Sequence, residues 1–236
     1  MSIPLLIAIA FSLGFFIESI IGFGGGLIAY AILGFFIDVK HMVLAGLYIG
    51  TCSSAMIFLS DKKSFSRSIL IKSLPICLLG TMIGVFVFSQ ISSKTMLIIL
   101  GAVSIILSAK IIFFDKIEFP KIFNSALLLV GGVAQGLFGI GGPFVVNAIR
   151  KSFQNKSELR TTMAAFFVTF NLVRITQLSI TKHLPIELFK EIWWVIIPIF
   201  FIIQIGFKIH VKIKEEFFKK LIAAMTLFSG IVFLFK

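Results

Sequence analysis

The feature that most limits what this chain can become is a succession of apolar runs, at about 3–37, 41–59, 68–88, 94–114, 123–149, 161–180, 189–207 and 217–235. Most approach the roughly 20 residues that a helix needs to cross the hydrocarbon core of a bilayer. A chain of 236 residues cannot hide this much apolar surface in one water-soluble core, because 58% of it is hydrophobic, only 14% is charged and the mean hydropathy is +1.10. Soluble domains carry about a quarter charged residues. The expectation is an all-α polytopic membrane protein: one transmembrane domain over residues 1–236, with no polar stretch long enough for a soluble appendage.

The charge distribution agrees. The formal net charge is +12. The bases fall in short segments between apolar runs, as in Lys62-Lys63 and Arg150-Lys151. That pattern suits anionic lipid headgroups and argues against nucleic acid as a partner. Cys52 and Cys77 both lie inside apolar runs without a CxxC or histidine neighbour, so they read as small buried hydrophobes. Met1 to Phe16 has neither a basic n-region nor a small-residue cleavage site, and reads as a retained membrane segment.

Two of the runs are interrupted. Gly22-Phe23-Gly24-Gly25-Gly26 breaks the first and Gly139-Ile140-Gly141-Gly142-Pro143 breaks the fifth. Such clusters make continuous helix costly, so each run reads as two arms joined at a break. The breaks lie 117 positions apart, and the same offset sets Ser54 opposite Asn171. Pro75 and Pro198 correspond at an offset of 123. Self-similarity at half the chain length points to an internal duplication, with repeat one at about 3–114 and repeat two at about 123–235.

Lysine and arginine counts orient the runs. If every broken run crosses once, 11 bases face one side and 9 the other, which is no bias. If each broken run is a hairpin, segments 60–67, 110–121, 150–160 and 208–220 share a face carrying 15 bases against 5 opposite. The second arrangement obeys the positive-inside rule. It predicts two inverted repeats, each a glycine-broken helical hairpin followed by three transmembrane helices, with both termini outside. The arms either cross fully or stop midway; the second arm of the later hairpin, 144–149, is too short to cross.

Helix breaks at mid-membrane leave backbone N–H groups that lipid cannot satisfy, and the N-terminal end of a helix attracts anions. Brought together by pseudo-symmetry, Gly24, Gly25, Gly26, Gly141 and Gly142 are candidates for one anion site. Gly46-x-x-x-Gly50 and Gly80-x-x-x-Gly84 read instead as surfaces for close helix packing.

These stretches, Glu18-Ser-Ile-Ile-Gly-Phe-Gly-Gly-Gly26 and Gln135-Gly-Leu-Phe-Gly-Ile-Gly-Gly142, resemble the paired glycine motifs of the TauE/SafE family of sulfite exporters. The resemblance runs from about Pro4 to Phe235. It implies a secondary transporter exporting sulfite, sulfonate or related sulfur-containing or organic anions across the bacterial inner membrane. The sequence departs from the commoner pattern where Pro143 replaces a third glycine and where no Val-Pro follows the first cluster.

Polar residues inside the runs complete the candidate site. Ser53, Ser54, Thr169 and Asn171 lie at matching depths in the two halves, available either to an oxyanion or to neighbouring helices. Gln135 precedes the second break by one helical turn, and an amide there must find a partner. Glu18 holds the equivalent place before the first break, as a proton-coupling carboxylate or as a cap for its own hairpin. Arg174 stands one turn from Asn171 and either attracts an anion or snorkels to the nearer face, whereas Lys72 snorkels. Alternatives are an anion channel or an uptake carrier; a membrane scaffold fits less well, since it would explain the packing glycines but not a duplicated break. An intramembrane enzyme fits poorly, because His41, His183 and His210 all fall between runs and no nucleophile–base pair lies within them. The first glycine cluster is no dinucleotide fingerprint, since Leu27 takes the third glycine position. No cofactor or metal is expected, and the sequence leaves the oligomeric state open.

Overall fold

The computed structural model describes residues 2–113 and 123–209 and, from the last apolar run, 223–224, 227–228, 230–231 and 233–234. The basic segments 116–121 and 212–216, and much of 217–235, lie outside the described residues. Every regular element described is helical: α1 (Ile3–Ile21), α2 (Gly25–Leu33), α3 (Val39–Ser60), α4 (Arg67–Gln90), α5 (Ser93–Phe113), α6 (Asn124–Phe138), α7 (Gly142–Ile149), α8 (Lys156–Ile180), α9 (Ile186–Ile192) and α10 (Ile196–Ile209), with short 3-10 turns between some of them.

Among the described residues, five stretches are long and apolar enough to cross a membrane: Ile3–Ile21, Val39–Ser60, Arg67–Gln90, Lys156–Ile180 and Ile186–Ile209. Their outer faces are oily. Ile71, Leu79, Met82 and Phe86 form one exposed stripe along α4. Such a stripe is unfavourable against water and at home against lipid tails.

Local chemistry sets the helix ends. Asp38 caps α3 by accepting from the backbone N–H groups of Lys40 (2.8 Å) and His41 (3.4 Å). Asn155 caps α8 by accepting from Glu158 N–H (2.9 Å), and the Glu158 carboxylate reaches back to Gln154 N–H (2.7 Å). Pro198 has no N–H for the carbonyl four residues before it, and a 3-10 turn at Trp193–Val195 separates α9 from α10 just there. Two helices end on left-handed glycines, α1 at Gly22 (φ 99°) and α6 at Gly139 (φ 75°), a conformation costly for any residue with a Cβ.

Glycine also governs the closest packing, that of α4 on α6. A methyl group at Gly80 would collide with the Leu129 carbonyl, at Gly84 with that of Val133, at Gly132 with that of Cys77 and at Gly136 with that of Thr81. The two backbones therefore touch through a pair of small-x-x-x-small faces, as close membrane helices do. The Gly80-x-x-x-Gly84 expectation fits this contact. Gly46-x-x-x-Gly50 does not pair two helices in this way: Gly46 faces Tyr30 and Phe11, and Gly50 faces Asn171 and Phe15. The reassignment has a physical reason. An i, i+4 pair of glycines makes a groove on a helix, and the groove here takes side chains and open space in place of a second backbone.

Around these contacts α1 packs on α2 and α10, α3 on α8, and α8 on α4. This arrangement brings α1, α2, α3, α6, α7 and α8 to one interior cavity.

Candidate functional site

The two helix endings are built alike. Beyond α1 the chain passes Gly22 and Gly24, both left-handed, and starts α2 at Gly25. The Glu18 carboxylate, buried in the last turn of α1, accepts the Gly25 N–H at 2.9 Å. Beyond α6 the chain passes Gly139 and starts α7 at Gly142. The buried Gln135 amide oxygen accepts the Gly141 N–H, also at 2.9 Å. In both places a side chain of the first arm satisfies a backbone donor at the start of the second, a donor that apolar surroundings would leave costly to strand.

Between these endings lies a small cavity, with about 30 Å³ open to the centre of a water-sized sphere. Eight of the residues singled out in the sequence line it: Glu18, Gly24, Gly26, Ser54, Gln135, Gly142, Asn171 and Arg174. Four others do not. The N–H groups of Gly25 and Gly141 are taken by Glu18 and Gln135. Ser53 donates to the Ile49 carbonyl (2.8 Å) and Thr169 to that of Ala165 (2.9 Å), each within its own helix.

Arg174 dominates the cavity electrostatically. It is 1% exposed, and among the described residues it has no carboxylate partner. Its Nη1 donates to Asn171 Oδ1 at 3.5 Å, while its Nε has no hydrogen-bond partner among the described residues. The same Asn171 oxygen accepts from Gln135 Nε2 at 3.4 Å. Both contacts are long, but two donors on one oxygen fix the amide orientation. They leave Asn171 Nδ2 turned toward Gly50, so a donor faces the cavity. A buried charge without a counter-charge costs several kcal/mol, of order 3–5 when a partner is removed. The arrangement is thus suited to a small anion, with the guanidinium supplying charge and Asn171 supplying a directed N–H.

Several residues escaped the sequence. Tyr30 lines the cavity, its ring edge-on to Phe11 with centroids 6.2 Å apart. A tyrosine inside an apolar run signals that its hydroxyl needs a polar neighbour, and that signal was available. The apolar wall, Phe11, Phe15, Leu27, Ile140 and Phe167, reads as core in any sequence. Arg160 needs a correction. It was counted with the basic segment 150–160 on a membrane face, yet it is 1% exposed. It pairs with Asp61 at 3.4 Å, donates to the Ser19 carbonyl at 3.3 Å and sits 4.5 Å over the Phe207 ring. Because α8 begins at Lys156, four residues before it, Arg160 is already inside the bundle. It holds the end of α1 and is not among the residues lining the cavity.

No curated protein and no solved structure matches the chain. The family model described as sulfite exporter TauE/SafE does match it, over residues 6–233 of 236, which is nearly its whole length. This membrane-embedded chain, helical in every regular element described, therefore belongs to the TauE/SafE family of sulfite exporters.

Proposed function

We propose that this protein is a secondary transporter that exports a small anion, sulfite, a sulfonate or a related sulfur-containing or organic anion, across a bacterial inner membrane. Family membership supports the class of substrate. The observation that carries the reading to particular residues is the buried Arg174 guanidinium, without a carboxylate partner among the described residues, beside a cavity lined from both helix endings. In this reading Arg174 and Asn171 bind the anion. Gln135 positions Asn171, Ser54 adds a hydroxyl, and Gly24, Gly26 and Gly142 keep the backbone within reach. Glu18 is the acid that lines the same cavity, and its protonation couples anion movement to a proton: a neutral Glu18 leaves the cavity positive and holding, an ionised one offsets Arg174 and releases.

The architectural part of the proposal is that residues 3–114 and 123–235 are inverted repeats, with the lysine- and arginine-rich segments cytoplasmic and both termini outside. Counting Arg160 as buried reduces the richer face from 15 bases to 14, against 5, so the bias survives. Broken helices meeting at mid-membrane are a recurring plan for carriers.

The test is flux in liposomes containing the purified protein. Sulfite loaded inside should drive counterflow of labelled sulfite against its gradient, which a channel cannot do. Counterflow should require Arg174. Uptake that only dissipates the gradient, or counterflow undiminished in Arg174→Gln, overturns the reading.

A further inference from the structure

We propose that Gly50 sets the size limit of the anion site, an inference that rests on the cavity being that site. Three residues of α3 line the cavity at helical spacing: Gly46, Gly50 and Ser54. Opposite them α8 contributes Phe167, Asn171 and Arg174. Phe167 lies 117 positions after Gly50 and Asn171 the same distance after Ser54. One helix therefore brings bulk and donors where its counterpart brings two glycines and a serine.

The two glycines differ in what they leave room for. A Cβ at Gly46 would come within 2.5 Å of the Tyr30 hydroxyl and 3.2 Å of the Phe11 ring, so Gly46 makes room for protein. A Cβ at Gly50 would lie 3.5 Å from Asn171 Nδ2 and 3.5 Å from Phe15 Cζ, ordinary contacts that displace nothing. It would stand between the anion donor and the aromatic wall. Phe15 is itself held in place, buried and stacked on Phe11 with centroids 5.8 Å apart. With about 30 Å³ available, the cavity holds roughly two water-sized bodies. A compact oxyanion fits, and each carbon added to it must take up the space beside Gly50. Arg174, buried with an unpartnered Nε, marks the end of the cavity where the charged group sits.

The experiment titrates sulfite, methanesulfonate and ethanesulfonate against the purified full chain, wild type, Gly50→Ala and Phe15→Leu, with thermal melting in parallel. One methyl group in a closed pocket discriminates by roughly tenfold or more. Gly50→Ala should raise the sulfite-to-methanesulfonate affinity ratio by at least tenfold and melt no lower than wild type, since alanine also favours the helix. Phe15→Leu should lower the same ratio and improve ethanesulfonate relative to sulfite. If the wild type binds while neither variant moves the ratio tenfold, Gly50 is not the selector and the anion site stands. A Gly50→Ala protein that fails to fold contradicts the proposal too, because the added methyl is argued to displace nothing. If the wild type binds none of the three anions, the site reading falls and the selector falls with it.

Discussion

The first helix ending and the second perform one backbone task with different chemistry. Glu18 holds Gly25 N–H with a carboxylate; Gln135 holds Gly141 N–H with an amide at the same 2.9 Å. A carboxylate only accepts when ionised, so the chain of hydrogen bonds stops at Glu18. An amide also donates, and Gln135 passes the chain on to Asn171, which Arg174 joins. The second ending is therefore wired to the donors that face the cavity, while the first can change its charge. In the proposed reading this difference assigns binding to the second ending and switching to the first.

The largest expected effect tests the binding side. Arg174→Gln removes the cavity's positive charge but keeps an N–H donor. Charge-assisted hydrogen bonds contribute about 1.5–3 kcal/mol each, so sulfite affinity should fall on the order of a hundredfold, measured by calorimetric titration. The melting temperature should not fall, because an unpaired buried charge is itself costly. Next comes Gln135→Glu, which makes the endings alike. It places a second acid against the Asn171–Arg174 pair, and affinity should drop about tenfold at neutral pH, roughly one compensated charge contact. Lowering the pH protonates the new carboxylate and should restore binding. Equal affinity at both pH values would show that the second ending is not coupled to the cavity.

The converse exchange, Glu18→Gln, should act less on affinity than on its pH dependence. The amide oxygen still accepts from Gly25, so the cap survives, but nothing remains to titrate. Flux in liposomes should then lose its dependence on an imposed pH gradient. A folded Glu18→Gln protein with the wild-type pH profile would reduce Glu18 to a cap. Smallest of all, Ser53→Ala and Thr169→Ala should alter binding by less than twofold and stability by about 0.5 kcal/mol or less, since each hydroxyl only bonds its own helix.

Much of this was legible because membranes make polar residues conspicuous. Glu18, Gln135, Asn171 and Arg174 stood out in apolar runs where each must find a partner, and all four line the cavity. Helix limits were legible where glycine marked them, as at Gly22 and Gly139. What failed were particular contacts decided by neighbours distant in sequence. Gly46 and Gly50 share the spacing of Gly80 and Gly84, and only the tertiary partner separates a groove filled by backbone from one left open. Arg160 sat at the end of a basic segment, and nothing local told that Asp61, Ser19 and Phe207 would enclose it. The hydroxyls of Ser53 and Ser54 are adjacent in sequence yet have different fates, one turned to a carbonyl and one lining the cavity, because neighbouring helical positions point about 100° apart.

The four-glycine contact between α4 and α6 has a mechanical consequence. Two backbones in direct touch have no side-chain cushion to shear, so the pair behaves as one strut. Its outer surface is the oily stripe of Ile71, Leu79, Met82 and Phe86, and its inner end carries Gln135 and the left-handed Gly139. A side chain larger than hydrogen at any of the four positions would push the two backbones apart and shift the end of α6 that carries Gln135 and Gly139.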